Sequence, residues 1–180
     1  MDPRLKRTAA TGLFAALALA LNFPLLGVPN VELFSVCLFI AGVYLGYWGG
    51  IVAPLIAGII FVFFNPNGPP SVITLVIAQL VGFILFGLAG AIFGRSILRN
   101  KNRMVGMVFS AAIGVVFTFI YDALTNAALA VTFGPFWPTM VSGIAFSLMH
   151  FVSNGIIFGL VEPLMVKLWQ IVEPRLYPAS

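Results

Sequence analysis

The chain has 180 residues, of which 61% are hydrophobic and only 8% are charged, with nine Lys and Arg against five Asp and Glu. Its mean hydropathy of +1.11 lies far above that of an ordinary soluble chain, in which about a quarter of the residues are charged. These values exclude a soluble enzyme, a nucleic-acid-binding domain and a disordered tail. A single cysteine, Cys37, and a single histidine exclude a disulfide framework and a multi-thiolate site, so no metal site is expected.

Six apolar stretches approach the length of about 20 residues that a helix needs to cross a bilayer. They are 8–28, 31–47, 50–64, 72–94, 104–133 and 139–172. The sequence therefore predicts an all-α polytopic membrane protein of one domain with six transmembrane helices. The basic start of the first stretch also fits a signal peptide, but its apolar part is long and lacks a clear cleavage site, so a real span is expected.

Turn-forming residues separate these stretches. The segments 27–30 and 134–138 combine Gly and Pro, 48–50 contains two consecutive glycines, and 65–71 contains three prolines that cannot donate helical hydrogen bonds. The remaining connection, 95–103, is a charged loop.

The distribution of Lys and Arg predicts the orientation. Basic residues occur only before residue 8, within 95–103 and after residue 166. If the chain crosses the membrane six times, all three regions lie on the same side of it. The positive-inside rule then puts both termini in the cytoplasm.

Small residues recur every fourth position along the whole first span, at Thr8, Gly12, Ala16 and Ala20. Shorter repeats lie at 42, 46 and 50, at 106, 110 and 114, and at 155 and 159. Small side chains at this spacing let two helix backbones approach closely. The shorter repeats are expected to pack within the chain, whereas the first fits either internal packing or contact with another subunit.

Polar side chains within the apolar spans are costly to bury, so each is a candidate for function. Asp122 shares a helical face with Thr118 and Asn126, and His150 shares one with Ser147 and Asn154. Gln79 lies in the fourth span, Glu32 starts the second, and Asn30 lies just before it.

Helix rise places Asp122 and His150 at similar depths, on the order of 15 Å below the outer surface. Because consecutive antiparallel helices are usually neighbours, the two residues are expected to meet or to line one cavity. Tyr121 and Trp137 are the aromatic candidates for its wall. This pattern predicts an outward-facing pocket for a small molecule. The alternative is a structural polar pair that only fixes helix packing, with Asn30 and Glu32 in an ordinary solvated loop.

Motifs for ATP hydrolysis (GxxxxGK[ST]), zinc proteolysis (HExxH) and serine hydrolases (GxSxG) do not occur in the sequence. The chain is therefore expected not to be an enzyme, and uphill transport would need energy from a partner.

The sequence resembles the substrate-binding S components of energy-coupling factor (ECF) transporters of the vitamin-uptake type. Ala16-x-x-x-Ala20 matches the Ala-x-x-x-Ala contact motif of that family, and Gly12 and Thr8 extend it. The Gly-rich segment 39–50 and the segments 121–126 and 150–155 are also similar.

The resemblance implies a protein of the prokaryotic plasma membrane that binds a vitamin or vitamin precursor without a cofactor. Its implied partners are a membrane coupling subunit, docked on the face of Thr8, Gly12, Ala16 and Ala20, and two cytoplasmic ATPase subunits. An outer loop, 65–71 or 27–32, would close over the ligand. Asp2 stands where metal-transporting members have a histidine, which speaks against a metal cargo. The ligand itself is not identified.

Two alternatives remain open at this point. One is a structural scaffold of the cell envelope that resembles MreD, and the other is a self-sufficient intramembrane enzyme or channel.

Overall fold

The computed structural model describes residues 3–64 and 72–177, and these ranges are helical apart from short connections. The helices are α1 (Pro3–Asn22), α2 (Phe34–Phe64), α3 (Ile73–Leu98), α4 (Arg103–Phe133), α5 (Phe136–Ser142) and α6 (Ile144–Leu176). A 3₁₀ turn, Phe23–Leu25, follows α1. In the described part of the chain, five helical segments are long and apolar enough to cross a membrane: Arg4–Leu25, α2, α3, α4 and α6.

Helix α2 is a hairpin of two antiparallel arms, 34–45 and 47–64, that reverse at Gly46. Gly46 has φ 69° and ψ −161°, a backbone conformation that essentially only glycine adopts. Across the hairpin, the rings of Phe34 and Phe61 lie 4.9 Å apart, although a straight helix would separate them by about 40 Å. The turn predicted at 48–50 is wrong, because Gly49 and Gly50 are helical and the reversal needs only one residue with positive φ.

Glycines bring the α2 hairpin into backbone contact with α3. A Cβ atom on either Gly42 or Gly50 would collide with the carbonyl oxygen of Gly87. On the same seam, a Cβ atom on Gly90 would collide with the carbonyl oxygen of Phe39. The repeat at 42 and 50 therefore packs within the chain, as the sequence predicted.

Helices α4 and α6 form the second close seam. A Cβ atom on Gly114 would lie 2.7 Å from the ring of Phe158, and Ser110 donates a hydrogen bond of 3.0 Å to the Phe158 carbonyl oxygen. The small residues of α4 therefore accommodate the larger side chains of α6. This seam sets the facing side chains of the two helices at fixed positions along their length.

Helix α1 packs on α2 through one face and leaves the other uncovered. Thr11, Ala15 and Ala18 are buried. The predicted stripe is exposed along its whole length, at Thr8, Gly12, Ala16 and Ala20. The two ends of the described chain meet, since Lys6 donates to the carbonyl oxygen of Arg175.

Several predicted spans have different bounds in the structure, including the first and the sixth. The first helix ends at Asn22 rather than near residue 28, because Pro24 follows and the chain continues as a 3₁₀ turn. The sixth predicted span, 139–172, divides at Gly143 into the short helix α5 and the long helix α6.

Candidate functional site

An open chamber of about 440 Å³ lies at the end of the bundle opposite the two termini. Six parts of the chain build it: the end of α1, the connection to α2, the end of the α2 hairpin, and the facing sides of α3, α4 and α6. Its polar lining residues are Asn22, Asn30, Glu32, Gln79, Tyr121, Asp122, Thr125, Asn126, Ser147 and His150. The volume falls in the range of roughly 300–1,000 Å³ that is typical of small-molecule sites.

His150 stands between two carboxylates on the chamber wall. Its Nδ1 lies 2.9 Å from Oδ1 of Asp122, and its Nε2 lies 3.8 Å from Oε1 of Glu32. Although only 8% of His150 is exposed, its Nε2 has no hydrogen-bond partner. Because a buried polar atom without a partner costs free energy, this nitrogen is suited to bind a ligand.

Glu32 is held in place by the start of α2. Its Oε2 accepts a hydrogen bond of 2.8 Å from the backbone N–H of Ser35, which caps the helix N-terminus. Its Oε1 accepts from Nδ2 of Asn154, at 3.2 Å. The carboxylate is therefore a fixed part of the wall rather than a mobile loop charge.

Asn154 lies behind the wall and does not line the chamber. It is completely buried, and its Nδ2 also donates to Oγ1 of Thr118 at 2.8 Å. Thr118 in turn donates to the Gly114 carbonyl oxygen. Asn154 therefore holds the Glu32 carboxylate from behind the chamber wall, and the direct ligand contact expected from the sequence stays a prediction.

Asn30 joins the connection between α1 and α2 to helix α6. It has φ 57°, a left-handed conformation that asparagine tolerates better than most residues. Its Nδ2 donates to the Phe146 carbonyl oxygen at 2.8 Å, and its own carbonyl oxygen accepts from Oγ of Ser153. These bonds close one side of the chamber.

Aromatic rings form the floor. Tyr121 stacks on Phe83 with ring centroids 5.4 Å apart, and its ring edge meets His150. Below them lies a smaller cavity of about 80 Å³. Its lining includes Phe34, Phe61, Phe83 and Phe86 together with Tyr121 and His150. The chamber thus combines an aromatic base with polar walls.

Two further candidates, Gln79 and Asn126, line the chamber from α3 and α4. The Oε1 atom of Gln79 is buried and has no hydrogen-bond partner. It is therefore a second buried polar atom of the site, an acceptor, that has no hydrogen-bond partner.

Trp137 is not among the residues that line the chamber, and its role in ligand binding stays a prediction. It is 74% exposed on α5, where its ring packs edge-on against Phe136. Tryptophan is typical of the membrane interface, where one end of the ring meets water. The proposed closing loop 65–71 lies outside the described residues, as does Asp2.

Asn22, Thr125, Ser147 and Phe61 line the chamber but were not among the candidate residues. The sequence pattern indicated both Ser147, one turn before His150, and Asn22, a polar residue at the end of an apolar span. It did not indicate Phe61, because aromatic residues are frequent throughout the chain.

Among the described residues, no group of three or more His, Cys, Asp or Glu side chains is arranged to hold a metal ion.

A family model described as "ECF-type riboflavin transporter, S component" matches residues 4–167. No curated protein and no solved structure matches the chain. The match gives no support to an MreD-like scaffold, and the family is one of transporter components rather than enzymes.

Proposed function

The chain belongs to the family of ECF-type riboflavin transporter S components, and on this premise we propose that its chamber captures riboflavin from outside the cell. As a member of that family, the protein is the substrate-specific, vitamin-binding membrane subunit of an ECF transporter. The observation that carries the choice of ligand is the chamber itself, where His150 and Gln79 each have a polar atom without a hydrogen-bond partner and Tyr121 and Phe61 supply aromatic lining.

The chemistry of riboflavin suits this arrangement. Its isoalloxazine ring is flat and aromatic, which favours stacking against Tyr121 and the phenylalanines below it. The ring also carries an edge of hydrogen-bond donors and acceptors that His150, Asp122 and Gln79 are placed to bind. The hydroxyls of the ribityl chain are donors for the carboxylate oxygens of Glu32 and Asp122.

We propose that the chain crosses the membrane six times, counting each arm of α2 separately. All nine Lys and Arg lie in 4–7, 95–103 and 167–175, which the helix order places at the end of the bundle away from the chamber. The positive-inside rule supports a cytoplasmic location for that end and for both termini. The chamber then opens outward, as capture of an external vitamin requires.

We further propose that the exposed face of α1 docks on the membrane coupling subunit, which two cytoplasmic ATPases drive, in the prokaryotic plasma membrane. The stripe of Thr8, Gly12, Ala16 and Ala20 supports this role, because it is uncovered and has no bulky side chain. A Cβ atom added to Gly12 would meet no atom within 4 Å. A smooth surface of this kind allows close helix approach.

Identification of the small molecule that copurifies with the protein tests this function. We expect mass spectrometry of the denatured, detergent-purified protein to release riboflavin, and titration of ligand-free protein to quench riboflavin fluorescence at one site per chain. Thiamine and biotin serve as controls that should not compete. Release of a different vitamin, with no binding of riboflavin, would replace the proposed ligand.

A further inference from the structure

The turn between α3 and α4 concentrates positive charge at the end of the bundle away from the chamber. Its charged residues are Arg95, Arg99, Lys101 and Arg103, with no acidic residue among them. Arg95, Arg99 and Lys101 are exposed, and no ion pair joins them to another residue that the structure describes. Arg103 differs, because its Nη1 lies 3.6 Å from the buried carboxylate of Glu162. Three cations at this turn therefore lack a carboxylate partner within the described chain.

The remaining charges of the described chain do not balance these cations. Glu32 and Asp122 line the chamber at the opposite end. Glu173 belongs to the end of α6 that meets α1, where the carbonyl oxygen of Arg175 accepts a hydrogen bond from Lys6. The C-terminus of α3 contributes roughly half a negative charge and the N-terminus of α4 roughly half a positive charge, so the two helix ends offset each other. The turn therefore keeps a net charge of about +3.

Two asparagines hold the backbone of this turn in one conformation. Oδ1 of Asn100 accepts a hydrogen bond of 3.0 Å from the backbone N–H of Asn102, and Oδ1 of Asn102 accepts one of 3.4 Å from Val105. The backbone N–H of Arg99 bonds to the carbonyl oxygen of Arg95 at 3.1 Å, so these two arginines lie one helical turn apart on one face. An ordered backbone under the cations reduces the entropy that is lost when they bind an anion.

Exposed apolar side chains continue from the cations toward the middle of the bundle. On α3, Ile92 lies one turn before Arg95 and is 52% exposed. The exposed apolar residues in the first turns of α4 include Met104, Val105 and Val108. Phe93 and Phe109 pack edge to face between the two helices, with ring centroids 6.0 Å apart. The helix pair thus presents cations at its end and an apolar surface beside them, which matches the headgroup and acyl chains of a phospholipid.

We propose that this turn binds an anionic phospholipid, with Arg95, Arg99 and Lys101 around the headgroup phosphate and the acyl chains against the exposed apolar side chains of α3 and α4. The planar guanidinium of arginine can donate two hydrogen bonds to one phosphate group. Each Lys or Arg near an anionic membrane surface strengthens the attraction by about fivefold. An acidic face of a soluble protein would match the charge alone, whereas a phospholipid also covers the neighbouring apolar surface.

Native mass spectrometry of the full-length protein, purified in dodecyl maltoside and titrated with lipid, tests this proposal by counting bound molecules. The probes are dioleoylphosphatidylglycerol and dioleoylphosphatidylcholine, which have the same acyl chains but differ in headgroup charge. We expect the first phosphatidylglycerol to bind at least about tenfold more tightly than the first phosphatidylcholine. Glycerol 3-phosphate, which carries the phosphate without acyl chains, should not displace it. Displacement at equal concentration would show a site for free phosphate and overturn the lipid assignment.

Two double variants remove the same charge from different places. Arg99→Gln with Lys101→Gln changes the turn, and we expect it to lower the affinity for phosphatidylglycerol by about tenfold or more. Lys167→Gln with Arg175→Gln changes two exposed residues of α6 and is the matched control, which should keep the native affinity. Both variants should bind phosphatidylcholine as the native protein does, which verifies that they are folded. Arg103 stays unchanged because of its ion pair with Glu162.

Equal affinity of the native protein for the two lipids would overturn this proposal. An equal loss of phosphatidylglycerol affinity in the two double variants would also overturn it, because the lipid would then respond to the overall charge of this end rather than to the turn. None of these measurements involves the chamber, so their outcome is independent of the proposed function.

Discussion

Nδ1 of His150 and Oδ1 of Asp122 lie 2.9 Å apart, although the two residues are 28 positions apart on antiparallel helices. The pair joins α4 to α6 at the chamber end of their seam, and its two side chains are among those that line the chamber. The pair therefore both holds the two helices together and takes part in the candidate site.

Replacing His150 with Ala should weaken riboflavin binding by roughly 10- to 100-fold, since a hydrogen bond involving a charged group contributes about 1.5–3 kcal/mol. Asp122→Asn should weaken it less, because asparagine can still accept a hydrogen bond from the imidazole. Titration by fluorescence quenching measures both. Met149→Ala, at a neighbouring exposed position, is the control and should bind normally. Unchanged affinity in both site variants would remove the pair from the binding site.

A second prediction concerns the exposed face of α1. Ala16→Trp should block uptake driven by the coupling subunit and leave riboflavin binding unchanged, because a bulky ring separates two helices without reaching the chamber. Uptake into vesicles reconstituted with the complete transporter measures the first effect. Ala112→Trp, at an exposed position of α4, is the matched control and should transport normally. Uptake by the Ala16→Trp variant at the native rate would place the docking surface elsewhere.

Gly46 provides a prediction about stability. With φ 69° and ψ −161°, any side chain there is strained, and Gly46→Ala should cost about 1–3 kcal/mol or prevent folding. Thermal unfolding in detergent measures the change. Gly12→Ala is the control, because Gly12 is helical with no atom near its added Cβ. That variant should unfold at the same or a higher temperature, since alanine favours helix by about 1 kcal/mol. Equal behaviour of the two variants would show that the hairpin turn does not depend on glycine.

Glu162 is a buried carboxylate that the sequence analysis did not identify. Its side chain is fully buried, and the nearest cation is Nη1 of Arg103, 3.6 Å from Oε1. Arg103→Met should destabilise the protein by about 2 kcal/mol, less than the loss of a fully buried pair because half of the arginine side chain is exposed. In a Glu162→Gln background the same change should cost almost nothing. Equal costs in the two backgrounds would mean that the ion pair does not stabilise the fold.

The sequence predicted the polar pair well because ionisable residues are rare in apolar helices, so Asp122 and His150 were conspicuous. The sequence could not show which polar residues line the chamber and which only hold the lining residues in place. Asn154 lies one turn from His150, yet whether its side chain reaches a cavity or a helix seam depends on how α4 and α6 pack. In the same way, several glycines follow each other between 42 and 50, and nothing in the sequence shows which of them takes the positive φ.

Trp137 and Glu162 show what else the sequence left open. An aromatic residue in a loop, such as Trp137, fits both a ligand site and the membrane interface, and the sequence does not distinguish the two. Glu162 lies among apolar residues within a predicted span, so its position in the sequence already indicated a charge in an apolar environment. Its contact with Gly106 is visible only in the structure, where a Cβ atom at position 106 would collide with the Glu162 carboxylate.

The central claim is that the ligand occupies the chamber between α4, α6 and the connection that follows α1. Comparing the riboflavin dissociation constants of Ser147→Trp and Leu148→Trp tests it most directly. Ser147 lines the chamber, whereas the adjacent Leu148 is 57% exposed and points elsewhere. We expect the indole at 147 to fill the chamber and abolish binding, while the same indole at 148 leaves the dissociation constant unchanged. Native affinity in the Ser147→Trp protein would contradict the account.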